Sequence, residues 1–153
     1  MDLILWRHAE ACDGDDAEHD LMRPLTARGE KHAVRMAQWL DSQLPEGARI
    51  FCSPATRAEQ TVRPLNRKYK IRDALAPGAS VQDVLETAAW SQARGPVLVV
   101  GHQPALGAVL ATLLGLGTVP LAMRKGAVWW LRSRQREGVV QTVVMAVMTP
   151  EKL

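Results

Sequence analysis

The sequence predicts an α/β fold: a single domain over residues 1–153 in which a mostly parallel central sheet is flanked by helices. Three observations lead there. Apolar runs of strand length alternate with segments of helical periodicity. The run Val97-Leu98-Val99-Val100 has no polar alternation, the mark of a strand covered on both faces in a parallel sheet. A chain of 153 residues with 47% hydrophobic content can bury one real core, the size of one domain.

Each element has a local reason. Leu3-Ile4-Leu5-Trp6 is a first strand that ends on Arg7 and His8. Residues 10–20 follow as a loop carrying Asp13, Asp15, Asp16, Glu18 and Asp20, too acidic and too rich in turn formers to be core. Thr26 then caps a helix that places Ala33, Met36, Ala37, Leu40 and Leu44 on one stripe, and Pro45 and Gly47 end it. Arg49-Ile50-Phe51-Cys52 is a second strand. Ser53 and Pro54 supply the N-cap and first-turn proline of the next helix, with Arg57 in its first turns and Pro64 breaking it. Residues 70–72 form a small third strand. Ser80-Val81-Gln82-Asp83 reads as a capping box, opening a helix with Val81, Val84, Leu85, Ala88 and Ala89 on its apolar face and Gly95-Pro96 at its close. The strand 97–100 is the central one, and Pro104 starts a buried helix that runs to about Leu114. Two last strands, 128–132 and 139–148, meet through a basic hairpin-like turn. In the first of them, alternation puts one of Trp129 and Trp130 in the core and the other outside.

Composition narrows the function. A net charge of +3 suits an anionic substrate or an acidic partner without demanding nucleic acid. The Arg132, Arg134 and Arg136 cluster has no interleaved aromatic platform and reads as a charged turn. Cys12 and Cys52 lack zinc or disulfide-framework spacing. The acidic loop lacks a calcium-loop pattern and reads as solvated. No apolar stretch reaches the roughly 18 to 20 residues of a membrane span, and the chain opens on a strand pattern rather than a leader, so the expectation is a soluble, cytoplasmic protein.

In open α/β sheets ligands bind beyond the carboxyl ends of the strands. Three such ends carry chemistry here: Arg7 and His8, then Ser53 and Arg57, then Gly101 and His102. They are distant in sequence and should converge. Prolines at the first positions of two following helices should leave free backbone N–H groups aimed at an anion.

These residues resemble the histidine phosphatase superfamily, which includes the phosphoglycerate mutases. Its Arg-His-Gly signature stands here as Arg7-His8-Ala9, its second marker as Ser53-Pro54-x-x-Arg57-Ala58-x-Gln60-Thr61, and its third as Gly101-His102-Gln103-Pro104. Asp20-x-x-Arg23-Pro24-Leu25-Thr26-x-x-Gly29, with the short length, is similar to the SixA-type phosphohistidine phosphatases. The resemblance covers residues 3 to about 110 and implies a phosphoglycerate mutase-like fold. It implies His8 as the nucleophile, Arg7 and Arg57 as holders of the phosphoryl oxygens, and His102 as a further oxygen contact assisted by the Gln103 backbone N–H. It also implies catalysis without metal or cofactor.

The family's usual general acid is a glutamate between the second helix and the central strand, where this chain offers only Asp73, Asp83 and Glu86. A phosphomonoester needs its poor alkoxide leaving group protonated, whereas the imidazole leaving phosphohistidine accepts a proton at its distal nitrogen. The favoured substrate is therefore phosphohistidine on a protein, a histidine phosphotransfer domain of a phosphorelay, with inorganic phosphate as product. Arg23, Arg28, Lys31 and Lys125 are candidates to rim the site and meet an acidic phosphocarrier. Two alternatives stay open: a phosphatase for small phosphomonoesters using one of those carboxylates, and a binding module that holds phosphorylated partners without turnover. Arg23 has two readings of equal standing, a substrate contact and a structural arginine tying the acidic loop. Ser53 is read as a cap, and Glu10 as half of a surface ion pair.

Overall fold

A computed structural model describes residues 1–14, 16 and 19–153. Asp15 and Glu18 of the acidic loop lie outside the described residues. Among the described residues six strands form: β1 (Asp2–Arg7), β2 (Arg49–Cys52), β3 (Lys70–Ile71), β4 (Val97–Gly101), β5 (Val128–Arg136) and β6 (Val139–Met148). They form one sheet in the order β3-β2-β4-β1-β5-β6. The first four run parallel, and β5 and β6 are antiparallel additions at one side. The expected α/β domain with a mostly parallel sheet is what forms. All of β4 is buried, as a strand with neighbours on both edges and helices over both faces must be.

Among the described residues the α-helices are α1 (Ala27–Gln43), α2 (Thr56–Val62), α3 (Val81–Ala88) and α4 (Ala105–Leu113). Strand alternation divides the core in two. Ile4, Trp6, Leu98 and Val100 pack with Met36 and Leu40 of α1 and with Ala58 and Val62 of α2. Leu3, Leu5, Val97 and Val99 pack on the other face with Val84 of α3 and with Leu106, Val109 and Leu110 of α4. Because both faces are covered, Trp129 and Trp130 are each half-buried, one against each core, which corrects the expectation of an exposed ring. No helix among the described residues is long and apolar enough to cross a membrane.

Two caps form as read. Thr26 Oγ1 accepts the Gly29 N–H at 3.0 Å, and Ser80 and Asp83 close a reciprocal capping box. Ala89 takes a left-handed conformation (φ +51°) and ends α3, leaving it exposed rather than on the apolar face. The two prolines sit earlier than expected. The N-cap of α2 is Ala55, so Pro54 precedes the helix, and Pro104 is itself the N-cap of α4. Neither proline occupies a first helical position, and the expected pair of proline-led anion sites is not what the site is made of.

The loop after β1 is closed at its base by an Ala11–Leu25 bridge, a Thr26 N–H bond to the Glu10 carbonyl and a Cys12 N–H bond to the Pro24 carbonyl. Gly29 makes this closure possible, because a Cβ there would collide with the Glu10 backbone. Gly29→Ala should therefore cost about 2 to 3 kcal/mol through overpacking against an immovable carbonyl. Thermal unfolding should show Tm lower by roughly 5 to 10 °C. Gly47, with nothing near its would-be Cβ, is the control. A Gly29→Ala protein as stable as Gly47→Ala would refute this account of the loop.

Candidate active site

Sheet register brings the two histidines together. β1 and β4 pair so that Arg7 lies beside Gly101, and the His8 N–H donates to the Gly101 carbonyl at 3.1 Å. The next residues, His8 and His102, therefore leave adjacent strand tips about one strand spacing apart. Their ring centroids are 5.1 Å apart and tilted by 56°. The third tip is held level by the Ser53 N–H bond to the Val100 carbonyl at 3.0 Å.

Both rings are buried and neutral. His8 Nδ1 lies 2.7 Å from the Ala9 carbonyl oxygen, which can only accept, so Nδ1 carries the proton and Nε2 keeps a lone pair. Burial drives the pKa of His8 down to about 4; the Ala9 bond partly opposes this, while the charges of Arg57, Arg7 and Arg23 add to it. Burial likewise drives His102 to about 3, with His8 and Arg57 adding to the effect.

His102 Nε2 lies 2.7 Å from Ser53 Oγ, and that hydroxyl accepts the Ala55 N–H at 3.1 Å. Donating its own proton to Nε2 satisfies the serine fully and leaves His102 with an Nδ1–H that has no partner. Ser53 is thus not the expected cap of α2, a position Ala55 takes; it selects the tautomer of His102. The sequence could not show this, because the serine and the histidine lie 49 residues apart and meet only through the order of the sheet.

The arginines are held before any anion arrives. Arg7 donates from Nη1 to the Met123 carbonyl at 2.6 Å. Arg57, 3% exposed, donates from Nη1 to the Asp20 carbonyl at 2.7 Å and from Nη2 to the Asp20 carboxylate at 3.1 Å. Burial opposes ionisation of Asp20, but hydrogen bonds from Arg23 and Arg57 outweigh it and hold the carboxyl below its ordinary range. The Nε groups of both Arg7 and Arg57 are buried and unpartnered. With His102 Nδ1 they are the three buried side-chain polar atoms without partners among the described residues, all on residues of the strand-tip cluster and all donors of the kind an oxyanion accepts. The sequence places Asp20 in the acidic loop and in the SixA-like motif, and offers Arg23 as the arginine that ties that loop; the bond from Arg57 to Asp20 is what the structure adds.

Arg23 donates from Nε to Asp20 at 3.0 Å and from Nη1 to the Cys12 carbonyl at 2.7 Å, the loop-tying arrangement. The side chain of Gln103 is consumed structurally, donating to the Leu121 carbonyl and accepting the Gly107 N–H, so only its backbone is available to a ligand. Glu10 accepts from Thr26 Oγ1 at 2.9 Å and, among the described residues, forms no ion pair. Thr61 accepts the Ala9 N–H at 3.0 Å and donates to the Arg57 carbonyl at 2.7 Å. Of the carboxylates weighed as acids, Asp83 is held ionised by the Ser80 backbone N–H of the capping box, and Glu86 accepts from Gln82. Both cysteines are free, and burial raises the Cys52 pKa.

Comparison with known proteins meets this geometry independently. The model of the histidine phosphatase superfamily (branch 1) matches residues 3–78. Phosphohistidine phosphatase SixA of Escherichia coli K12 is 33% identical over 129 residues, covering 79% of each chain. A SixA homolog of Haemophilus influenzae is 29% identical over 133 residues, covering 75% of this chain and 78% of that one. The solved structure of the protein histidine phosphatase SixA complexed with tungstate superposes with a TM-score of 0.78 at 27% identity, covering 99% of both chains.

The buried imidazoles set a pH dependence. Their folded pKa values, about 4 and about 3, lie below the ordinary 6.5, so the unfolded chain binds protons that the native state refuses. Stability from these groups is complete above pH 6.5 and is lost as pH falls toward 4. Urea denaturation at pH 5 should give an unfolding free energy about 2 to 4 kcal/mol below that at pH 7. NMR should show both rings neutral at pH 5.5; a midpoint near 6.5 for either would contradict the assignment.

Proposed function

Because the chain belongs to the histidine phosphatase superfamily, with a SixA likeness that marks it as a phosphatase, we propose that it removes phosphate from phosphohistidine on a protein. The substrate protein is a histidine phosphotransfer domain of a phosphorelay, and His8 of the phosphatase carries the phosphate covalently between two steps. The observation supporting this most directly is the lone pair on His8 Nε2 in a site with three unpartnered buried atoms, Arg7 Nε, Arg57 Nε and His102 Nδ1. The tungstate held by the related SixA is a tetrahedral oxyanion and fits the same reading.

In the first step Nε2 of His8 attacks phosphorus and the P–N bond of the substrate breaks. The departing imidazole is neutralised by a proton at its distal nitrogen, so no side chain has to supply an acid. In the second step water attacks phosphorus, the bond to His8 breaks and inorganic phosphate leaves. Arg7, Arg57 and His102 hold the equatorial oxygens, where negative charge stays throughout. The Gln103 backbone N–H assists them, and Arg23 acts through Asp20 on Arg57 rather than on substrate. Depressed basicity keeps His8 unprotonated at neutral pH, the state a nucleophile requires.

Two of the carboxylates support phosphohistidine over an alkyl phosphomonoester. Asp20 and Asp83 are both held in their ionised forms, which suits holding a cation or capping a helix and disfavours giving up a proton.

Phosphate release from a phosphohistidine protein, a sugar phosphate and an aryl phosphate separates the readings. The phosphohistidine protein and the aryl phosphate should turn over and the sugar phosphate should lag by about 10²-fold or more. His8→Ala should abolish release, and rapid quench should trap phosphate on His8 of the unmodified protein. Ser53→Ala should lower kcat by about 10-fold, since His102 then loses its fixed tautomer. Binding of phosphate without release from any substrate would establish a non-catalytic module instead.

A further inference from the structure

We propose that a charged cleft lined by Glu10, Arg28, His32, Arg124, Lys125 and Glu151 docks carboxylate side chains of the phosphorylated protein, next to the phosphate site. This rests on the phosphoprotein reading and specifies how the partner is recognised.

The cleft adjoins the nucleophile through the chain itself. Glu10 stands two residues beyond His8, roughly 7 Å along extended chain. Lys125 precedes Gly126, whose N–H donates to the His8 carbonyl at 3.0 Å. Gly126 has φ +77°, and a Cβ there would press on Pro150, so the turn that presents Arg124 and Lys125 is fixed at this place. Arg28 and His32 of α1 form the facing wall.

Charge in the cleft is unevenly spent. Glu10 keeps its negative charge while accepting from Thr26, and Glu151 meets Arg124 at 3.4 Å in an ion pair whose arginine is 71% exposed, so Arg28, Arg124 and Lys125 still outnumber the cleft's carboxylates. Arg28 and Lys125 are exposed and have no carboxylate within 4.0 Å among the described residues. These two cations are what a partner's carboxylates would meet. The volume, about 190 Å³, is below the roughly 300 to 1,000 Å³ of small-molecule pockets and suits one or two side chains of a larger surface. Beyond Glu10 the loop bears the opposite sign, with Asp13 and Asp16 exposed. An acidic surface is thus attracted on the Arg28–Lys125 side and repelled on the other, which orients it over His8.

This differs from the rim read in the sequence. Arg23 is occupied by Asp20 and Cys12, and Lys31 lies exposed outside the cleft; His32 and Arg124 take their places.

The test is the double charge reversal Arg28→Glu with Lys125→Glu, assayed on a phosphotransfer domain of net negative charge phosphorylated on histidine, and on an aryl phosphate. The expected result is a fall in kcat/KM of about 10- to 100-fold on the protein, carried by KM, with the aryl phosphate rate within about twofold. Added salt should raise KM for the protein with the original enzyme and have little effect with the variant. An unchanged aryl phosphate rate also certifies the fold. The docking site alone is overturned if the original enzyme cleaves both substrates and the variant stays within about twofold on the protein, or loses both activities equally. An original enzyme that cleaves the aryl phosphate but leaves the phosphohistidine protein intact overturns the phosphoprotein reading, and the docking site with it.

Discussion

The bond from the His8 N–H to the Gly101 carbonyl extends the parallel β1–β4 ladder by one rung, and the rest of the site depends on it. A slip of one residue in that register would turn Ile4 and Trp6 toward the opposite core and send the His8 ring to the other face. The two cores therefore police the active site. Each apolar residue of β1 and β4 has one correct side, and the histidines inherit their proximity from that constraint without needing attraction for each other. Two imidazoles in one buried space would in fact repel if protonated, and their neutrality follows from the same burial that sets the register.

Preorganisation governs the charged groups as well. Arg57 is buried, and its terminal nitrogens are already bound to Asp20, so its position does not wait for substrate. Isolated buried guanidinium groups are costly, and Asp20 offsets that cost while leaving Nε uncommitted. Arg7 achieves the same with a backbone carbonyl in place of a carboxylate. The site thus fixes each cation by one edge and keeps another free, an arrangement that lets electrostatic stabilisation act without reorganisation.

Features encoded within a few residues were legible in the sequence. Strand tips, the Thr26 cap and the Ser80–Asp83 box all follow from local spacing and form as expected. Motif resemblance ordered Arg7, His8, Arg57 and His102, and the structure brings them to one end of the sheet. What the sequence concealed needed partners from distant segments. Ser53 and His102 meet because β2 and β4 are neighbours, and Asp20 reaches Arg57 only because the loop folds back over α2. The prolines misled for a related reason. A proline near a helix start restricts φ, but which residue becomes the cap depends on how the incoming strand ends. Trp129 and Trp130 show the limit of alternation: it says that the rings face opposite ways, and only the layers outside the sheet say whether either way leads to water.

Thr61 joins these levels. Its one hydroxyl takes the N–H of Ala9, beside the nucleophile, and gives its proton to the carbonyl of Arg57, the charge holder. The separation between the attacking nitrogen and the group that steadies the phosphoryl oxygens is therefore gauged by two short bonds through a single oxygen. Sliding of α2 over the sheet, which loose apolar packing would tolerate, must carry the nucleophile's own peptide with it. The site keeps its internal dimension by moving as one body, so that small breathing motions of the fold change its location rather than its shape.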